Sequence, residues 1–206
     1  RYGIDVEYYD PVIGPGIANL LRPETTVVYT EAPGSQTFEM QDIPAIANAA
    51  HKAGALAMMD NTWASPLFCN PFGLGVDVSI QAATKYIVGH SDVMMGPITT
   101  NESAWRATIK NHGAIGITAG PDDIYLALRG LRTLSVRLHR HMETGILLAK
   151  WLEDRPEVSR VLHPALPTDP GHEIWKRDFS GACGLFGIVL KPVSAKAVAA
   201  MLDNLE

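Results

Sequence analysis

The sequence predicts an α/β protein built around a mainly parallel sheet. Two observations carry that expectation. Between Thr25 and Thr100, β-type runs alternate with helical patterns and turn residues. One of those runs, ALAMMDN (55–61), is continuously apolar and ends in a carboxylate, as expected of a strand covered on both faces.

The elements follow in order. TTVVYTE (25–31) is β-branched and aromatic, which suits a pleated strand, and APGSQ after it supplies turn chemistry. From Asp42 the spacing of Ile43, Ile46, Ala47 and Ala50 predicts a helix, with Asp42 as N-cap and Gly54 as the stop. ALAMMDN then places Asp60 at a strand tip, VDVSIQA from Val76 gives a third strand, and VMMGPITT from Val93 gives a fourth. Pro97 makes that fourth strand irregular or an edge.

Ser103 to Asn111 fits a short helix, and 121–154 fits a long helix or a broken pair, with Gly130 and Gly145 as weak points. Leu131, Leu134, Leu138, Met142, Ile146, Ala149 and Leu152 form one apolar stripe on it. Pro164 to Gly184 reads as loop, followed by a β run, GLFGIVL, and a helical run that continues into MLDNLE. A second domain is expected to begin there. The pattern at both ends of the sequence suggests a missing piece at each.

Composition narrows the function. The 206 residues carry 17 basic and 22 acidic side chains, spread evenly for a net charge of -5, which argues against nucleic acid and against a polybasic membrane patch. No apolar run approaches the roughly 18 residues that cross a bilayer. Cys69 and Cys183 stand far apart without metal-ligand spacing, which predicts ordinary thiols, no metal site and a reducing cytoplasm.

The most informative stretch is SIQAATKYIVGHSD (79–92), where Lys85 follows a nearly uncharged run. A lysine ending a buried strand loses hydration, which disfavours an ammonium and leaves a nucleophilic amine able to condense with a carbonyl compound such as pyridoxal phosphate. Such a site needs an acid beside the pyridine nitrogen, and Asp60, at a neighbouring strand tip, is the candidate. Against this stands the plainer reading of Lys85 as a solvated turn residue and Asp60–Asn61 as turn chemistry.

DVSIQAATKYIVGHS (77–91) resembles the pyridoxal-phosphate attachment signature of the Cys/Met metabolism enzymes at every position. DNTWASPLF from Asp60, RGLRTLSVRL from Arg129 and HPALPTDPGHEIWKRDFSGACGLFGIVL from His163 resemble further blocks of that family. SIQAATKY, Trp63 and GHEIWKRDFSG are most similar to its cystathionine β-lyase branch.

The resemblance implies the aspartate-aminotransferase-like fold type I, a large domain with a seven-stranded sheet followed by a smaller α/β domain. On that basis residues 1–160 are the cofactor-binding large domain, lacking its N-terminal part, and 161–206 are a linker and the beginning of a truncated C-terminal domain. It also implies pyridoxal 5'-phosphate as cofactor, a small sulfur amino acid as substrate and a homotetramer of dimers with shared active sites. The expected reaction is β-elimination of L-cystathionine to homocysteine, pyruvate and ammonia. Lys85 matches the Schiff-base lysine, Asp60 the partner of the ring nitrogen and Thr84 a phosphate-holding hydroxyl. Ala82 stands where many relatives have a phosphate-binding serine. Ser35 stands where γ-specific relatives often carry an asparagine near the cofactor's phenolic oxygen. Two alternatives stay open: a γ-lyase or γ-synthase of the same family, and a cofactor-free subunit that keeps the fold.

Among the other residues, His139 and His141 lie on different faces of a helix, and His90 is expected to order its loop. Arg129, Arg132, Arg137 and Arg140 read as a basic helix face, a solvated stripe in preference to the alternative of a phosphate or subunit contact. Trp151, Trp175 and Phe179 read as packing residues.

Overall fold

The computed structural model describes residues 3–205. Strands β1 (Val27–Glu31), β2 (Leu56–Asp60), β3 (Val78–Ile80) and β4 (Ile98–Thr100) form one sheet in that order. The first three are parallel and β4 is an antiparallel edge, so the mainly parallel sheet and the edge position after Pro97 both hold. Residues 93–97, expected to be strand, are not, because Pro97 donates no ladder hydrogen bond.

Between β1 and β2 the chain crosses over through helix α1 (Ile43–Lys52). Asp42 caps it by accepting the Ala45 amide at 3.2 Å. Its buried Ile46, Ala47 and Ala50 pack on Val28 and Ala57 of the sheet. The opposite sheet face differs from expectation. Val27, Tyr29 and Ile98 on it are exposed and Leu56, Met58 and Ile80 only half-buried, so β2 is covered on one side. An apolar run does not reveal how many layers cover it; that depends on which helices lie above each face.

After the short helix α2 (Ser65–Phe68) and β4 comes α3 (Glu102–Ile115), longer than predicted and largely solvated. The 121–154 region is a broken pair, α4 (Pro121–Leu131) and α5 (Leu134–Glu153). Leu134, Leu138 and Ala149 of the apolar stripe are buried, whereas Leu131 is exposed because the break turns α4 to another direction. Gly145 is no weak point. A Cβ there would lie 3.0 Å from Gly184 Cα, so the glycine lets α5 approach a neighbouring backbone.

A second, two-stranded antiparallel sheet pairs β5 (Val158–Leu162) with β6 (Gly187–Leu190). The sequence pattern did not indicate β5, because a bulge between Val158 and Arg160 breaks the period-two alternation. Helix α6 (His172–Asp178) lies inside the stretch expected to be loop; at seven residues with none fully buried, it has no apolar stripe to detect. The final helix α7 (Ala195–Asp203) ends before Asn204 and does not run through MLDNLE. Phe179, Ala182 and Cys183 reach back into the main core beside Trp63, Phe68 and Leu138, while Trp151, expected to pack, is exposed under the Arg155 guanidinium. Among the described residues no helix is long and apolar enough to cross a membrane.

Candidate active site

Parallel strands present their carboxyl ends on one side of a sheet, and the candidate residues gather there. Asp60 closes β2, with Glu31 of β1 and Ile80 of β3 as its register partners. Its Oδ1 accepts the Thr62 amide at 2.8 Å, and Thr62 Oγ1 in turn accepts the Ala82 amide at 2.8 Å. The Asp60 turn is thereby tied to the segment that enters the lysine. Asp60 Oδ2 has no hydrogen-bond partner among the described residues.

Lys85 does not end β3. It sits beyond it in a turn over 83–88, held by Lys85 N to Ala82 O at 3.0 Å, Val88 N to Ala83 O at 2.9 Å and Gly89 N to Lys85 O at 2.9 Å. Its side chain is exposed, so the burial expected of a strand-terminal lysine is not present. The physical reason is the turn, which carries the residue clear of the sheet to the wall of a cavity of about 670 Å³. Thr84, Tyr86, Met94, Arg137 and His141 line the same space.

Thr84 Oγ1 accepts the Met95 amide at 2.9 Å and donates to Met95 O at 3.3 Å, so here it straps the lysine turn to the 93–95 segment. Ser35 is exposed on the turn after β1, and its amide faces the Glu31 carboxyl. His90 Nδ1 lies 2.9 Å from Val88 O and orders the loop as expected. His139 is exposed, with its ring edge-on to Phe68 at 5.2 Å.

Two residues were not assigned to this site from sequence. Glu31 is half-buried, and its carboxyl is pushed above the ordinary range by burial and then by the Asp60 charge, opposed by the Ser35 amide and the Lys85 ammonium. It thus feels both candidate groups at once. The signal was present: like ALAMMD, the first strand ends in an acid. The second is Arg137, read as part of a solvated stripe. Its guanidinium instead donates from Nη1 to Tyr86 O at 2.6 Å and from Nη2 to Ile87 O at 3.2 Å, directly behind Lys85. Tyr86 donates its hydroxyl to Cys183 Sγ at 3.0 Å, and burial, followed by the adjacent Cys183, drives the phenol pKa well up.

The donor set fits pyridoxal phosphate. An exposed primary amine opens into a cavity large enough for a substituted pyridine; Asp60 does not line that cavity but closes β2 at the same end of the sheet, with a carboxylate oxygen that takes no donor among the described residues.

Comparison with known proteins agrees. The profile of the family described as Cys/Met metabolism PLP-dependent enzyme matches residues 1–206. Cystathionine beta-lyase MetC of Escherichia coli is 45% identical over 207 residues, covering 99% of this chain and 52% of that protein. The L-alanine/L-glutamate racemase of Wolbachia pipientis is 40% identical over 207 residues, covering 100% of this chain and 51% of that protein. A crystal structure of cystathionine gamma-lyase from Lactobacillus plantarum, complexed with L-serine, superposes with a TM-score of 0.82 at 32% identity, covering 85% of this chain and 46% of that one. The chain spans about half the length of the curated relatives it matches.

Proposed function

The chain belongs to the Cys/Met metabolism PLP-dependent enzyme family, and on that premise we propose that it acts as a carbon–sulfur lyase that cleaves L-cystathionine by β-elimination to homocysteine, pyruvate and ammonia. The observation that carries this reading is the placing of an exposed amine, Lys85, and a carboxylate with a free oxygen, Asp60, at one end of the same parallel sheet. The attachment stretch SIQAATKY and Trp63 favour the β-eliminating branch.

When bound, pyridoxal phosphate supplies an electron-withdrawing ring that takes up negative charge from the substrate α-carbon. Lys85 would hold it covalently, and its amine, when not so engaged, would be a positioned base for the Cα proton and then a proton donor to the departing sulfur. Asp60 Oδ2 would keep a proton on the ring nitrogen, and the Asp60–Thr62–Ala82 bonds tie that carboxylate to the segment entering the lysine turn. Thr84 would donate its hydroxyl to the phosphate by giving up its bond to Met95 O, while Oγ1 still accepts the Met95 amide. Ala82 offers no second hydroxyl, and Ser35 would take the position near the phenolic oxygen where γ-specific relatives often carry an asparagine.

In this reading residues 1–160 belong to the cofactor-binding domain and 161–206 to a linker and the start of a C-terminal domain. The protein works in the cytoplasm as a homotetramer with shared sites.

The test is product analysis with L-cystathionine, combined with borohydride trapping and peptide mass mapping. Pyruvate and homocysteine are expected, with the reduced adduct on Lys85 and with Lys85→Ala losing both. An adduct on another residue would overturn the lysine assignment. 2-Oxobutyrate as product would replace β- by γ-elimination, and failure to cleave cystathionine together with racemisation of alanine would move the chain to the chemistry named for its Wolbachia relative.

A further inference from the structure

We propose that Arg137 is a positioning residue that clamps the Lys85 turn and thereby sets where the amine stands. The proposal rests on Lys85 being the attachment lysine and adds the device that holds it in place.

The turn over 83–88 has no ladder or helix to satisfy its carbonyls. Ala82 O, Ala83 O and Lys85 O are taken up by amides of the turn itself. Tyr86 O and Ile87 O, the two that follow the lysine, are taken up by Arg137 across 51 and 50 residues of sequence. The same guanidinium donates from Nη2 to Gly130 O at 2.9 Å, at the end of α4, and from Nε to Thr133 Oγ1 at 3.0 Å. One planar group thus joins the lysine turn to the α4–α5 corner. Among the described residues no carboxylate lies within ion-pair distance of it. A solvated surface arginine would hydrate or pair with an acid; this one spends its donors on neutral carbonyls.

The backbone around the guanidinium is cleared for it. A Cβ on Gly89, which has φ +81°, would lie 2.4 Å from Arg137 Nη1. A Cβ on Gly130 would lie 2.3 Å from Ile87 O and 2.5 Å from Val88 O, so α4 itself presses against the turn. Arg137 and Lys85 also line the same cavity. The Tyr86 carbonyl is one residue from the amine-bearing Cα, and an ångström of drift there is enough to spoil an attack geometry. Lysine cannot substitute, because an ammonium is a point charge that does not reach several diverging carbonyls as a rigid fork does.

The test uses the full-length enzyme with Arg137→Lys, Arg137→Met and Arg137→Ala. Amide hydrogen exchange at Val88 and Gly89 reads the turn, and the rate of borohydride-trappable pyridoxal-phosphate adduct at Lys85 reads the amine. We expect both Arg137→Lys and Arg137→Met to exchange these amides about tenfold faster while α5 stays protected. Adduct formation should slow by about tenfold. In Arg137→Ala, millimolar guanidinium ion should restore adduct formation, which a merely structural defect would not allow. Wild-type exchange in Arg137→Lys, or faster exchange with an unchanged adduct rate, overturns the proposal. If Arg137→Met loses protection throughout α5, the lysine variant decides. If wild-type protein forms no adduct at Lys85, the functional reading fails, and the exchange arm still decides whether the clamp exists.

Discussion

Replacing His163 by phenylalanine should remove most of the acid sensitivity of this fold between pH 7.5 and 5. His163 is fully buried, between the rings of Trp63 (centroids 6.1 Å apart, edge-on) and Phe186 (5.5 Å). Its Nδ1 accepts the Ala165 amide at 3.2 Å, and Nε2 has no hydrogen-bond partner. No carboxylate is bonded to the ring to offset a positive charge, so burial depresses its pKa from 6.5 to about 4. The unfolded chain therefore binds a proton near pH 6.5 that the folded chain refuses until about pH 4. The contribution to stability is fully present above the unfolded value and is lost as pH falls toward the folded one. For those two values the loss at pH 5 is about 2 kcal/mol.

Asp77 does not share this window. Burial alone would raise its carboxyl, but the Ala57 amide, His51 and Asn101 outweigh that and hold it below 3.8, so its contribution is lost only in stronger acid. Glu31 and Asp169, both raised mainly by burial, run the other way, stabilising the fold as pH falls. They are common to both proteins and cancel in the difference. The assay is urea unfolding at pH 7.5 and 5.0, followed by tryptophan fluorescence. His163→Phe should lose about 2 kcal/mol less than wild type over that interval, whatever its stability at neutral pH. Equal losses in the two proteins would show that the ring is protonated in the fold and refute the reasoning.

A paired glycine substitution tests how closely α4 approaches the lysine turn. Gly113→Ala in α3, where a Cβ meets nothing within 4 Å, should stabilise by about 0.5–1 kcal/mol through helix propensity. Gly130→Ala should instead destabilise by about 2 kcal/mol, because the carbonyls it strikes belong to backbone and cannot rotate away; thermal denaturation compares the two. The thiols give a third prediction. Burial raises Cys69 to about 12 and Cys183 to about 11, so neither should react with a thiol reagent at pH 8 until denaturant exposes both. Rapid labelling of the native protein would contradict that.

Local chemistry was legible in the sequence. Asp42 caps α1, the first three strands lie where β-branched and apolar runs place them, and the attachment stretch around Lys85 carries its signature in consecutive residues. Each is written within a few positions, so neighbouring residue types suffice to read it. The rest depends on segments that meet only in three dimensions. Arg137 looks like any arginine on a helix until the chain folds and brings Tyr86 O, 51 residues earlier, against its guanidinium. Glu31 is legible as a strand-end acid, but that it stands opposite Asp60 is set by strand register. The exposure of Lys85, the open face of the sheet and the bulged pairing of β5 with β6 follow from which backbones approach one another. That choice is made by packing between distant segments, and it leaves no periodicity in any one of them.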